Sequence, residues 1–525
     1  MLLIRSMSMM LCVFVALALA LPAPAASAAA PEVPAWHRFE TAFESAKDYE
    51  NPVQDLELKV RFVSPSGKEQ TVLGFWDGGR AWRVRFMPGE PGEWSYETSA
   101  GDGSDKGLHG RSGTFHCTDY AGDNPLYENG PIRLSSDRRN LMHANGRPFF
   151  WLADTAWNGG LKATEADWKT YLADRRGKKF TGIQFVISQW RAGPTDREGQ
   201  VAFTGQEKVA VNPAFFQRMD KYFDLCNESE LVALPVLLWA IKGDINPGWN
   251  LPADQCVVLI RYMVARYGAH HAIWIVGGDG NYRGEASARW NEIGREGLKY
   301  NPGHLATLHP QGMNWPWSEF KDADWLDIET YQSGHGDNEN TLKWLVAGPP
   351  ATQWNEKPIR PVINAEPNYE DHLAYHSREP HSAFHVRRAA YWSLLVSPPA
   401  GVTYGAHGVW SWETELAEPL AHRGTGMAKP WSEAIQLPGS AQMKVMRELF
   451  DRLPWWELSP ATELVLHRPE GEAWSQYIAL AKTPDNEWGV AYLPDNDGVA
   501  LNAKAFGGAL EGVWFDPRTG KFSKT

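Results

Sequence analysis

The chain has 525 residues, of which 43% are hydrophobic and 22% charged, an ordinary globular composition over a length too great for one hydrophobic core. A formal net charge of -12 and a pI near 5.8 leave no basic field to hold a phosphate backbone, which argues against a nucleic-acid partner. The 26 Trp stand out, because indole rings can stack on the C–H faces of sugars while their edges stay wet.

Residues 1–28 read as a signal peptide: Arg5 supplies the charge, Met9 to Leu21 the apolar stretch and Ala26-Ser27-Ala28 a small-residue cleavage site. That predicts export to a periplasmic or extracellular location. No later run approaches the ~18 apolar residues of a membrane span. Only Cys117, Cys226 and Cys256 follow the signal, too few for a disulfide framework, so buried free thiols are expected.

Residues 32–120 alternate apolar and polar positions, as in Leu56 to Val63, Ala81 to Phe86 and Trp94 to Thr98, with Gly- and Pro-rich turns between them; this predicts an N-terminal β-sandwich. Pro131 to Arg147 reads as a hairpin with Asn145-Gly146 at its turn. From 131 to 440, strand and helix patterns take turns. The predicted strands are Phe149 to Ala153, Gly182 to Ile187, Val232 to Leu238, Ala272 to Val276, His304 to Leu308, Trp325 to Thr330, Pro361 to Ala365 and Gly401 to Tyr404. Helix signals lie between: a capping box at Thr164 and Asp167, Asn212-Pro213 at a helix start, Tyr267-Gly268 at an end, and helical spacing over Ser382 to Ser397. Eight such units predict an α/β fold, a (β/α)8 TIM barrel. Residues 441–525 open with a helix over Met443 to Arg452 and return to β pattern at Trp474 to Ala481 and Trp488 to Leu493, predicting a C-terminal β-sandwich. The turn at Thr519-Gly520 calls for one more strand, so this domain is expected to be short or to continue past the last residue.

In a parallel barrel the chemistry is built at the carboxyl ends of the strands. Asp279 follows the fourth strand through Gly277-Gly278, and Glu366 follows the seventh; two acids so placed suggest glycoside hydrolysis, which needs one acid to protonate the leaving oxygen and one carboxylate opposite. The glycine-rich, apolar setting of Asp279 suits a raised pKa and an acid/base role. Asn364, Tyr369 and Glu370 offer Glu366 hydrogen bonds that would keep it ionised, as a nucleophile requires. A carboxyl separation near ~5 Å would fit retention of configuration and one above ~6.5 Å inversion. Other strand ends pair polar with aromatic residues: Asp154 and Trp157, Gln189 and Trp190, Trp239, His309, Tyr331, Gln332 and His335, then Tyr369, and His407 with Trp410 after the last strand. Such a set lines a sugar cleft, hydroxyls needing paired donors and acceptors and ring faces needing flat apolar surface.

Leu152 to Trp157 (LADTAW), Ile275 to Asp279 (IVGGD), Tyr331 to His335 (YQSGH), Ile363 to Glu370 (INAEPNYE), Val402 to Trp410 (VTYGAHGVW) and Leu437 to Met443 (LPGSAQM) strongly resemble the apiosidase-like glycoside hydrolases. The resemblance runs from about Trp36 to the end. It implies a (β/α)8 barrel preceded by a small β-domain and followed by a β-sandwich once labelled collagen-binding, with the G-G-D and E-P-x-Y-E carboxylates, here Asp279 and Glu366, as acid/base and nucleophile. It implies a retaining enzyme acting on a polysaccharide or oligosaccharide, with furanosides such as apiose among its candidate sugars, and no cofactor or metal. Glu413 and the loop from His422 to Lys429 depart from the family pattern, which bears on subsites. A metal-dependent hydrolase would need clustered His ligands at strand ends, whereas His270-His271 precedes the fourth strand. A non-catalytic carbohydrate-binding barrel, the main alternative, would keep the aromatics and lose an acid.

Overall fold

The computed structural model describes residues 30–466, 473–495, 498–507 and 511–524; the signal segment lies outside them. At its centre eight strands form one parallel sheet: β1 (Trp151–Thr155), β2 (Gly182–Val186), β3 (Val232–Trp239), β4 (Trp274–Gly280), β5 (Ala306–Pro310), β6 (Glu329–Gln332), β7 (Val362–Glu366) and β8 (Gly401–Tyr404). Their order, β5-β4-β3-β2-β1-β8-β7-β6, is that of a TIM barrel opened between β5 and β6. That seam is stitched by fewer bonds: Ile328 donates to the Ala306 carbonyl, and the Thr307 and Thr330 hydroxyls donate to the Ile328 and Leu308 carbonyls. Strands buried on both faces explain the unbroken apolar runs in the sequence.

Each strand alternates between barrel interior and helix layer. Inside, Trp151 donates to the Thr403 hydroxyl, and the Gln184 amide reaches the Ala365 carbonyl and the Thr155 hydroxyl, so a buried polar network ties β1, β2, β7 and β8 together. Outside lies Asp154. Its carboxylate takes hydrogen bonds from Tyr171 (2.6 Å) and Arg175 (2.5 Å) on the helix Glu165–Gly177. Asp154 therefore fastens a helix to β1 and is turned away from the mouth where sequence position had put it.

The helix signals correspond to real caps. Thr164 and Asp167 close a capping box, Pro213 begins the helix Pro213–Glu228, and Ser382 starts Ala383–Leu395. One boundary differs: the helix expected over Met443 to Arg452 runs from Pro438 to Phe450, the missing N–H of Pro438 being harmless at the first position.

The N-terminal unit is a sandwich of a five-stranded and a three-stranded antiparallel-rich sheet, with Phe39, Phe62, Phe86, Trp94 and Phe115 between them. It docks on the barrel through buried charges: Arg85 and Arg266 share Asp220, and Arg266 also reaches Asp77. His270 and His271 lie at this junction, bound to Asp224 and the Trp36 carbonyl. The hairpin strands Ile132–Leu134, Leu141–His143 and Pro148–Phe149 lead into β1. After the barrel, Ser459–Pro460, Ala479–Lys482 and Gly489–Tyr492 form one antiparallel sheet, and Lys521–Lys524 pairs back on Val513–Asp516 across the Thr519-Gly520 turn. Trp474 to Gln476 forms a 3-10 turn ahead of this sheet where the alternation predicts strand. Cys117, Cys226 and Cys256 are buried free thiols.

Because Asp154 and Arg175 are fully enclosed, removing one partner leaves a charge uncompensated in a dry interior. Asp154→Asn is expected to cost about 3 kcal/mol in urea denaturation while leaving KM of the folded enzyme unchanged; a raised KM with unaltered stability would return Asp154 to the substrate.

Candidate active site

Two irregularities in the sheet aim the acids. The β4–β5 ladder shifts register between Ile275 and Gly278 and again between Gly278 and Gly280, and Asp279 between them has φ 50°. Asp is among the few residues that tolerate this left-handed backbone, at a cost of about 1 kcal/mol. Gly278 is needed because a Cβ there would come 2.6 Å from the Trp239 ring. On β7 the partner of Tyr331 is Asn364 and that of Gln332 is Glu366, so Ala365 is an extra residue. Strict alternation would give Asn364 and Glu366 the same face. The bulge separates them: Asn364 donates outward to Ser333 and Ser393, and Glu366 turns into the mouth.

Glu366 is 7% exposed and cradled by donors. Its Oε1 accepts from Gln332 Nε2 (2.8 Å) and His335 Nε2 (3.0 Å), and His309 Nε2 stands 3.3 Å from Oε2. His335 Nδ1 accepts from the Tyr369 N–H, which assigns the ring proton to Nε2 and makes a neutral imidazole a donor. Burial, strengthened by the neighbouring His381, His407 and His422, holds His335 well below the ordinary histidine range. For Glu366 burial raises the pKa, while His309, Tyr369, Arg191 and Gln332 pull against it. Of the three flanking partners expected from the sequence, Tyr369 pulls on the Glu366 charge and gives its N–H to His335, its hydroxyl being buried without a hydrogen-bond partner; Asn364 turns outward, and Glu370 accepts from the Tyr404 hydroxyl and the Gly439 N–H at a helix start.

Asp279 has no such cradle. Burial and then the repulsion of Glu366 push its carboxyl up to about 8, opposed by Arg191, whose Nη2 lies 3.8 Å from Oδ2. The two acids thus feel each other's charge, and the one rich in donors ionises first. Below about 8 the Asp279 carboxyl keeps its proton, while the donors around Glu366 favour the charged form of that group.

Around the acids Trp157 meets His309 and Trp239 edge-on at 5.4 Å, and Trp190 lies 4.3 Å from Trp239. Trp239 Nε1 and Gln332 Oε1 are buried without a protein partner. Other predicted lining residues serve as supports. Gln189 spends its amide on the backbone of Ala202 and Phe203. Tyr331 points to the helix layer, against Trp315 and Trp344. His407, 0% exposed, accepts from Trp410 Nε1 and bonds the Gly426 carbonyl, pinning the loop after β8. Trp190 Nε1 donates to Asn158.

Four residues lie outside the predicted set of site residues, although the sequence marks the loop opened by His422 as bearing on subsites. Arg191 is joined to His422 at 2.9 Å, and His372 stacks on His335 with the 54% exposed Tyr375 beside them. Arg191 directly follows Trp190, so the strand-end rule extended by one residue would have found it. The other three sit on long loops with no periodicity to report where they fold back.

Residues 135–457 match the family model described as Apiosidase-like, catalytic domain, and residues 32–101 match DUF5060, a domain of unknown function. Among solved structures, a glycoside hydrolase family 5 protein from Bacteroides vulgatus ATCC 8482 is similar, with TM-score 0.67 and 22% identity over 77% of this chain and 89% of that one. Another, described as a glycoside hydrolase, has TM-score 0.65 and 24% identity over 77% and 92%. At these identities the likeness carries the fold. No curated protein matches the chain.

A carboxyl raised from 3.8 to about 8 makes the folded state bind its proton more tightly than the unfolded state. Its stability is therefore complete below pH ~4 and declines as pH rises toward 8. Asp279→Asn keeps the left-handed backbone without the charge, and is expected to melt several degrees above the parent at pH 8, a gain on the order of 3 kcal/mol, with the gap closing near pH 4. Equal melting temperatures at both pH values would contradict the raised pKa.

Proposed function

The chain belongs to the apiosidase-like family of glycoside hydrolases, and from that premise we propose a secreted, retaining enzyme that cleaves a glycosidic bond in a plant or microbial polysaccharide, with Asp279 as acid/base and Glu366 as nucleophile. The observation that carries this reading is the unequal sharing of one proton between a half-buried and a buried acid, Asp279 pushed up to about 8 and Glu366 surrounded by donors. In the first step Glu366 attacks the anomeric carbon as Asp279 gives its proton to the departing oxygen, leaving a glycosyl ester and a free alcohol. Esterification removes the Glu366 charge. The repulsion that raised Asp279 is then gone, its pKa falls, and its carboxylate takes a proton from the water that cleaves the ester. Trp157 and Trp239 offer ring surface, and Trp239 Nε1 and Gln332 Oε1 offer a free donor and acceptor for hydroxyls. Export is supported by the leader-like residues 1–28.

Purified mature chain screened on aryl glycosides, furanosides included, and on pectin fragments identifies the sugar. Glu366→Gln is expected to lower kcat by ~10³-fold or more with the fold intact by circular dichroism; undiminished turnover would end the assignment. Proton NMR of the first-formed product should show the substrate's anomeric configuration, and the opposite anomer would make the enzyme inverting. Because Asp279 must be protonated in the first step, kcat/KM should fall as pH rises through about 8. Arg191→Gln removes the charge that opposes this pKa, so its alkaline limb should move to higher pH; a limb moved to lower pH would reverse the assigned role of Arg191.

A further inference from the structure

We propose that a polar cavity at the end of the barrel away from the acids is an accessory site for uronate-bearing oligosaccharides. The cavity, about 650 Å³, lies between the hairpin that precedes β1 and the segment that follows the helix Pro438–Phe450. Its place at the amino-terminal end follows from its neighbours: Arg133 donates to the Gly303 carbonyl just before β5, and Arg138 to the Ile359 carbonyl just before β7. Its volume falls within the roughly 300–1,000 Å³ of small-ligand sites.

The lining, with Arg133 and Arg139 beside Asp137 and Glu457, offers cationic donors for an anion and acceptors for hydroxyls. Arg133 and Arg139 both face the cavity, and neither forms an ion pair among the described residues, in a chain of net charge -12. Arg139 lies over Trp354 at 4.9 Å and gives one nitrogen to Asn355, while its Nη1 is buried with no partner. A guanidinium held flat, with donors to spare, suits a carboxylate. Asn140 supplies the second observation. It is 3% exposed and lines the cavity, and its Nδ2 donates to the Trp456 carbonyl, which fixes the amide and leaves Oδ1 buried as an unpartnered acceptor. Such an acceptor needs a donor, which sulfate or a fully ionised phosphate lacks and a sugar hydroxyl has. Asp137 adds acceptors, and Trp456, also on the wall, adds a ring. A uronate sugar meets all of these demands. The choice of a saccharide rests on the glycan-cleaving reading of the barrel; the anion and the donor come from the cavity itself.

The test is calorimetric titration of the full chain carrying Glu366→Gln with trigalacturonate, with maltotriose and sodium sulfate as comparators. Trigalacturonate should bind, weakening with added salt, while maltotriose and sulfate should bind at least tenfold more weakly. Arg139→Gln, and separately Ser136→Trp, which places a bulky ring at the cavity wall, should each weaken binding roughly tenfold. In the otherwise native chain Arg139→Gln should leave hydrolysis of a small aryl glycoside and the melting temperature unchanged. Trigalacturonate binding that survives both substitutions belongs to the catalytic mouth and overturns the proposal, as does no binding or equal binding of sulfate. Residual turnover in Glu366→Gln would count against the nucleophile assignment alone, since the titration reads binding at a separate site.

Discussion

Everything at the mouth depends on how two neighbouring carboxyl groups, Glu366 buried and Asp279 half-buried, divide one proton. Burial acts on both in the same direction, so burial alone could not tell them apart. The difference lies in hydrogen-bond donors. Gln332 and His335 donate to Glu366, His309 stands 3.3 Å from its other oxygen, and the anion they favour in turn raises Asp279. The two donors come from the end of β6 and the loop after it and His309 from β5, the strands flanking the barrel's least-bonded seam, so closure of the sheet there is what holds the cradle together.

The scaffold gives up regularity at these points. A strict ladder on β7 would have left Glu366 on the face of Asn364, toward the helices, and only the extra Ala365 turns it inward. On β4 two register shifts and a left-handed Asp279 do the equivalent. The Ala365 carbonyl, displaced from ordinary pairing, is taken up by the Gln184 amide from across the barrel. The same side chain that welds β1, β2 and β8 therefore also steadies the bulge that presents the nucleophile.

Architecture was legible in the sequence because strands buried on both faces write themselves as unbroken apolar runs, and because the caps at Thr164 and Ser382 use side chains that announce helix starts. Strand ends were legible too, and with them the positions of Asp279 and Glu366. The facing of each residue was not. Asp154 and Tyr331 sit at strand ends like the acids, but alternation sends them to the helix layer, where Arg175 and Trp344 receive them. Period-two reading could have separated them, except that both acid-bearing strands break the period with bulges that leave no mark in composition. Gln189 and His407 failed for another reason: they do lie near the mouth, but backbone groups of folded-back loops had already used their polar atoms. Loop paths depend on contacts distant in sequence, and the same gap hid His372, Tyr375 and His422.

The histidines of the mouth follow from the same electrostatic constraint. His335, His372, His407 and His422 crowd one wall, and burial keeps each below its ordinary pKa. A wall of lysines in that place would neutralise Glu366 and pull down Asp279, destroying the inequality between them. A neutral imidazole instead lets His335 donate a hydrogen bond to the carboxylate, and the others fill the wall, without contributing net charge. Arg191, the permanent cation among the described residues that acts on both acids, is partly exposed and stands at 3.8 Å from Asp279, far enough that solvent weakens it. The mouth is thus built from groups that orient charge without cancelling it, which leaves the proton of Asp279 available to a substrate oxygen at neutral pH.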